Sequence, residues 1–214
     1  MPEVPVGARR VGVAFARLPG WLDGFADRHG PLEVEAGAER LLLTAADGSR
    51  AWLDVPFGPW RPPESGPLTA LQLHLNRTRR VGVLLVRRGG YAAGVFAGAQ
   101  LLSSKVGTAY VQGTTKAGGW SQQRYARRRA NQSRAAFAEA ADVAARILLP
   151  ERSQLDALIC GGDQGAITQT LADPRLAPLL PLRCPPFLPV PDPRLKVLQA
   201  TPEQFLVLTI HLVP

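Results

Sequence analysis

The sequence predicts a mixed α+β protein, a mixed β-sheet with packed helices preceded by a small α+β N-terminal unit, and three observations carry that prediction. PFGPWRPPESGP at 56–67 holds five prolines and two glycines and reads as a semi-rigid linker between two parts. Short aliphatic runs come after it at hairpin spacing. One long stretch, 121–149, instead repeats apolar or small residues at helical spacing. The expected division is a unit at 1–55, a linker at 56–66 and a domain at 67–214.

Each element has its own signal. VGVAFA at 11–16 is strand-like, and PGWLDGFADRHG at 19–30 opens with Pro and ends on Gly as a short helix does. Asp47-Gly48 turns a hairpin between RLLLTA and RAWLDV. A unit of about 55 residues is marginal alone, so it is expected to pack against the downstream domain. After the linker, LTALQLHLNR at 68–77 reads as a helix, and VGVLLV (81–86) and YAAGVFAG (91–98) flank Arg87-Arg88-Gly89-Gly90 as a hairpin. QLLSSKV (100–106) and TAYVQG (108–113) read as two more strands. In the long helix, Ala126, Ala130, Phe137, Ala141, Ala144 and Leu148 recur at steps of three, four or seven, a core-facing stripe. LDALIC (155–160), a turn at Gly161-Gly162-Asp163, AITQTLA (166–172) and two strand-like runs, LKVLQA and FLVLTIHLV, complete a β-meander plus β-α-β arrangement.

Composition narrows the function. The chain has 214 residues, 46% hydrophobic and 20% charged, with no apolar run near the roughly 18 residues of a membrane span. MPEVPVGARR lacks the apolar core of a secretory signal, so a cytoplasmic location without membrane partners is expected. Cys160 and Cys184 lack metal-ligand spacing and read as reduced structural thiols; neither metal nor cofactor is expected.

The placement of charge says more than its sum of +8. Between Glu64 and Glu139 lie 74 residues without an acid, holding twelve Lys and Arg, while the remainder sums to −4. A merely soluble surface mixes both signs. This one is built for phosphate, with Arg suited to bidentate contacts.

TTKAGGWSQQRYARRRANQ at 114–132 breaks ordinary helix rules, since a helix N-terminus favours acids and this one opens with Arg124, Arg127, Arg128 and Arg129. The positive helix end, its free N–H groups and the arginines all attract a phosphate backbone. Gly118-Gly119 permits a backbone that other residues avoid and lets a loop enter a crevice. Lys116, Ser121, Gln122 and Gln123 complete a polar loop at the tip of a basic helix.

At these residues, RRVGVLLVRRGGYAAGVFAG and SSKVGTAYVQGTTKAGGWSQQRYARRRANQ, the sequence resembles the actinobacterial branch of the Vms-like release factors and peptidyl-tRNA hydrolases. These are relatives of the middle domain of eukaryotic-type class-one release factors. The resemblance covers about 67–214 and is strongest over 79–134. It implies a release-factor middle-domain-like fold and a peptidyl-tRNA ester hydrolase that rescues stalled ribosomes or large subunits without reading stop codons. Its partners would be large-subunit rRNA and peptidyl-tRNA. Gly119-Trp120-Ser121-Gln122 resembles that branch's Gly-x-x-Gln, which makes Gln122 the candidate catalytic glutamine on a loop of Gly118, Gly119, Trp120, Ser121 and Gln123. Class-one factors have Gly-Gly-Gln contiguous; here Trp120 and Ser121 intervene, and Gln123 offers a second register. Lys105, Lys116, Arg124, Arg127, Arg128, Arg129 and Arg134 would hold RNA phosphates.

Other chemistries fit less well. Gly119-Trp120-Ser121-Gln122-Gln123 lacks the last glycine of a nucleophile elbow, and His29, His74 and His211 sit in helix- or strand-like contexts. Asp156, Asp163 and Asp173 read as strand-end, turn and helix-end residues rather than a metal cluster. Gly161-Gly162-Asp163-Gln164-Gly165 lacks the phosphate-loop lysine. Trp21, Trp52 and Trp60 read as packing residues, leaving Trp120 to stack on a base or brace the loop. The alternative with most weight is a non-catalytic ribosome- or tRNA-binding module with the same basic face.

Overall fold

The structure, a computed structural model, describes residues 2–63, 66–108 and 121–213, with the side chains of 121–133 outside the description. The chain forms two compact units, Met1–Thr78 with Leu206–Pro214, and Arg79–Phe205. In chain order the first contains β1 (Arg9–Ala14), α1 (Leu18–His29), β2 (Leu32–Ala36), β3 (Arg40–Ala45), β4 (Arg50–Asp54) and α2 (Pro67–Asn76). The second contains β5 (Arg80–Arg87), β6 (Gly90–Ala97), β7 (Gln100–Thr108), α3 (Ser121–Leu148), β8 (Ala157–Gly162), α4 (Gln164–Leu171), α5 (Leu195–Gln199) and α6 (Pro202–Phe205). β9 (Val207–Val213) returns to the first.

The first unit is an antiparallel sheet in the order β1-β9-β4-β3-β2. Pro19 opens α1, and Gly30 at φ 90° ends it, a conformation that side chains resist. Leu18, Leu22 and Phe25 form its buried stripe. The β3–β4 turn is held by Asp47, which accepts from the Ser49 backbone N–H at 2.9 Å and bonds His29 Nδ1 at 2.8 Å. Those contacts, His29 foremost, hold the Asp47 carboxyl down at about 2.

Two findings differ from the expected division. The proline-rich stretch is not a bare spacer: Phe57 and Trp60 are buried, Phe57 edge-on to Phe15 at 6.3 Å and Trp60 beside His74 at 6.2 Å. The segment bends at Phe57-Gly58, and its aromatic side chains take the apolar surface it crosses. FLVLTIHLV is the expected strand, but β9 pairs with β1 and β4, burying Leu208 and Ile210 in the first unit's core. That unit therefore has a core larger than residues 1–55 alone supply.

The second unit's sheet runs β7-β6-β5-β8. β5, β6 and β7 form the antiparallel meander, and β8 lies parallel to β5. Residues Gly90–Phe96 of β6 are all buried, as a central strand requires. Onto this sheet α3 packs Ala136, Ala140, Ala141, Val143, Ala144 and Leu148, with Phe137 half-buried beside them. Ala126 and Ala130, expected on the same stripe, have side chains outside the described residues, as does the expected strand from 109 onward. LKVLQA is corrected from strand to helix: Leu195 and Leu198 lie three apart, and α5 buries Leu198 completely.

The β8–α4 turn needs glycine. Gly162 has φ +101°, and a Cβ there would strike the Val86 carbonyl oxygen. Asp163 caps α4, accepting from the Ala166 N–H at 3.1 Å. Asp163→Ala is expected to cost about 1 kcal/mol in urea unfolding and Asp163→Asn much less, because Asn keeps the accepting oxygen.

Candidate active site

The segment singled out in the sequence lies between two described stems, the end of β7 at Thr108 and the start of α3 at Ser121. Lys116, Gly118, Gly119 and Trp120 lie outside the described residues. Ser121, Gln122, Gln123, Arg124, Arg127, Arg128 and Arg129 occupy the first turns of α3 as backbone positions. Lys105 on β7 and Arg134 on α3 are both exposed, and among the described residues neither meets a carboxylate.

Helix geometry fixes the relations along α3. Gln122 precedes Ala140 by about five turns, so its backbone lies on the side of the helix that Ala140 turns to the core. It also lies about 25 Å of helical rise from Glu139. Gln123, Arg127 and Arg134 share one face by their spacing, Arg124 and Arg128 a second, and Arg129 a third. A helix resting on a flat polyanion would segregate its arginines to one side. These positions are instead spread around the helix axis.

Where α3 is fixed to the sheet, Tyr91 at the start of β6 donates from its hydroxyl to Glu139 Oε2 at 3.1 Å. Burial, followed by Glu139, raises the Tyr91 pKa, so the phenol keeps the proton it donates. Asp142, one turn further on, pairs with Arg175, which also bonds Asp173. Those Arg175 contacts hold Asp173 down at about 2. Sequence reasoning misses Tyr91 and Glu139; the available signal is that Glu139 is the first acid after the 74-residue gap.

The remaining basic residues divide by role. Arg80 pairs with Glu151 at 2.5 Å and also draws Asp156 to its backbone N–H at 2.8 Å. Arg87 donates to the Val190 carbonyl at 2.9 Å, and Arg79 is buried. These three arginines serve the fold. The second unit as a whole has 17 Lys and Arg against 8 Asp and Glu, a net +9, leaving −1 for the first, which returns the chain's +8.

All three histidines belong to the first unit. His211 Nε2 meets Asp54 Oδ2 at 2.8 Å, His74 Nε2 donates to the Pro56 carbonyl at 2.8 Å, and His29 holds Asp47. No group of three His, Cys, Asp or Glu able to hold a metal occurs among the described residues, and no described helix is long and apolar enough to cross a membrane.

The family described as the Actinobacteria/chloroflexi VLRF1 release factor matches residues 79–211, the second unit and most of β9. The chain belongs to that family. Among solved structures, this VLRF1 family chain is similar to an archaeal translation termination factor, aRF1, at 18% identity and TM-score 0.45, over 86% of this chain and 52% of that one. It is also similar to the Vms1 mitochondrial localization core at 12% identity and TM-score 0.46, over 83% of this chain and 77% of that one. The chain thus spans about half the length of the archaeal factor. No curated protein matches it.

Cys160 and Cys184 are free thiols lining a cavity of about 300 Å³ with Arg183, Pro185, Pro186 and Phe187. Burial pushes both up to about 11, far from a nucleophile's range. With maleimide at pH 8, Cys160 is expected to react only on unfolding, at least tenfold more slowly than a free thiol peptide; rapid labelling of the folded protein would contradict this.

Proposed function

We propose that this release-factor family protein hydrolyses the ester between nascent peptide and tRNA on stalled ribosomes or large subunits, without reading stop codons. The observation that supports the reading is the sequence Gly119-Trp120-Ser121-Gln122 inside a stretch free of acids, with Ser121 and Gln122 opening a 28-residue helix. Lys105, Lys116, Arg124, Arg127, Arg128, Arg129 and Arg134 hold rRNA or tRNA phosphates and bring Gln122 to the peptidyl-transferase centre, with Ser121 and Gln123 beside it in the first turn of α3 rather than on the expected loop and Gly118, Gly119 and Trp120 preceding it in sequence.

The chemistry assigned to Gln122 is positional. An amide does not titrate near neutrality, so Gln122 cannot take the proton of the attacking water. Its carbonyl oxygen accepts from that water and aims it at the ester carbonyl carbon, while a neighbouring N–H donates to the oxygen that gains charge. The bond to the ribose oxygen then breaks, that oxygen takes a proton, and free peptide and tRNA leave. RNA groups of the ribosome and the tRNA supply the proton path.

The test is release of labelled peptide from purified stalled 70S complexes and from peptidyl-tRNA-bearing 50S subunits. Gln122→Ala is expected to slow release about 100-fold, the order of loss when the attacking group is no longer held in position, with binding unchanged. Loss with Gln123→Ala alone would shift the site by one residue. Tight, salt-dependent binding with no release by the parent would favour the non-catalytic module. Arg127→Ala is expected to weaken binding and lower the slope of log affinity against log salt by about 0.7–0.9.

A further inference from the structure

One side chain links the two elements that flank the segment 109–120, β7 near its end and α3 in its clamped half. In the β6–β7 ladder Tyr91 lies opposite Gly107, next to Thr108 where the segment begins. A Cβ at position 107 would clash with the hydroxyl edge of Tyr91, at Cζ and the hydroxyl oxygen, so the Tyr91 side chain lies against the β7 backbone and requires glycine there. From that position the Tyr91 hydroxyl reaches Glu139 on α3. Tyr91 is 9% exposed, a buried strut rather than a surface contact.

The need for such a strut comes from the way α3 is held. Ala136, Ala140, Ala141 and Ala144 pack here with Val143 and half-buried Phe137, an apolar contact made mostly of small side chains that sets the spacing of helix and sheet. A hydrogen bond has direction, which methyl packing lacks. The lever is long: a tilt of about 10° at Glu139 displaces a point 25 Å along the helix by about 4 Å. A displacement of about 1 Å can lower a rate about 100-fold.

We infer that Tyr91 is a positioning residue. Its contact with Gly107 and its hydroxyl on Glu139 lock the end of β7 to α3 and set where the helix delivers Gln122. This rests on the release reading above.

The experiment compares single-turnover peptide release by the full chain and its Tyr91→Phe, Glu139→Ala, Glu139→Gln and Gln122→Ala variants across protein concentration. Tyr91→Phe and Glu139→Ala are expected to lower the saturating rate about tenfold or more while the half-saturating concentration stays within twofold. Glu139→Gln, which keeps an accepting oxygen, restores the rate. Amide exchange in Tyr91→Phe is expected to speed up at both 105–108 and 134–140. Parental rates in Tyr91→Phe beside a silent Gln122→Ala would overturn the strut and leave the release reading intact. A parent that releases nothing overturns both. Unchanged exchange at 105–108 and 134–140 would overturn the strut independently of activity.

Discussion

Burial of Ala136, Ala140, Ala141, Val143, Ala144 and Leu148 against the β7-β6-β5-β8 sheet fixes the C-terminal half of α3, and the placement of the basic half depends on it. A helix is stiff over several turns, so clamping one half defines the line along which the other extends. The acids of the second unit are largely committed to structural contacts: Glu139 to Tyr91, Asp142 and Asp173 to Arg175, Glu151 to Arg80, and Asp163 to the cap of α4. Anchoring and charge are thus separated along one helix. Its clamped half carries the acids and its first turns carry the arginines.

That separation resolves an apparent conflict in the sequence. Arg124 in the first turn opposes the helix dipole at about 0.3–1 kcal/mol, and Arg127, Arg128 and Arg129 further on add mutual repulsion with no acid to relieve it. A helix dependent on its own propensity would be weakened by them. Here tertiary packing from Ala136 onward supplies the stability, which lets the first turns carry the arginines that the proposed RNA contact uses.

Much of this is legible in the sequence, and the misses have physical causes. The α3 boundaries, the hairpin at Arg87–Gly90, the Asp47-Gly48 turn and the Asp163 cap all arise from local chemistry that tertiary context reinforces. LKVLQA misleads because a short apolar run fits either period, and only the burial of Leu198 decides between them. The destination of β9 is invisible because pairing with β1 and β4 lies more than 150 residues away in the chain. The aromatic packing of Phe57 and Trp60 is hidden behind prolines that signal a spacer. At the candidate site the helix beginning at Ser121 is readable from residue types, while Ser121, Gln122 and Gln123, expected on the loop before it, lie in its first turn. The Tyr91–Glu139 contact is not readable, since it joins residues 48 apart through a glycine whose role emerges only in the ladder.

The claim at the centre of this account is that α3 carries Gln122 to the ester. A cryo-EM map of the protein bound to a large subunit with an uncleavable peptidyl-tRNA would test it most directly. The account predicts the N-terminal end of α3 inside the peptidyl-transferase centre, with Gln122 against the terminal adenosine and phosphates on several sides of the helix. A map placing that end on the subunit surface, away from the tRNA terminus, would contradict it.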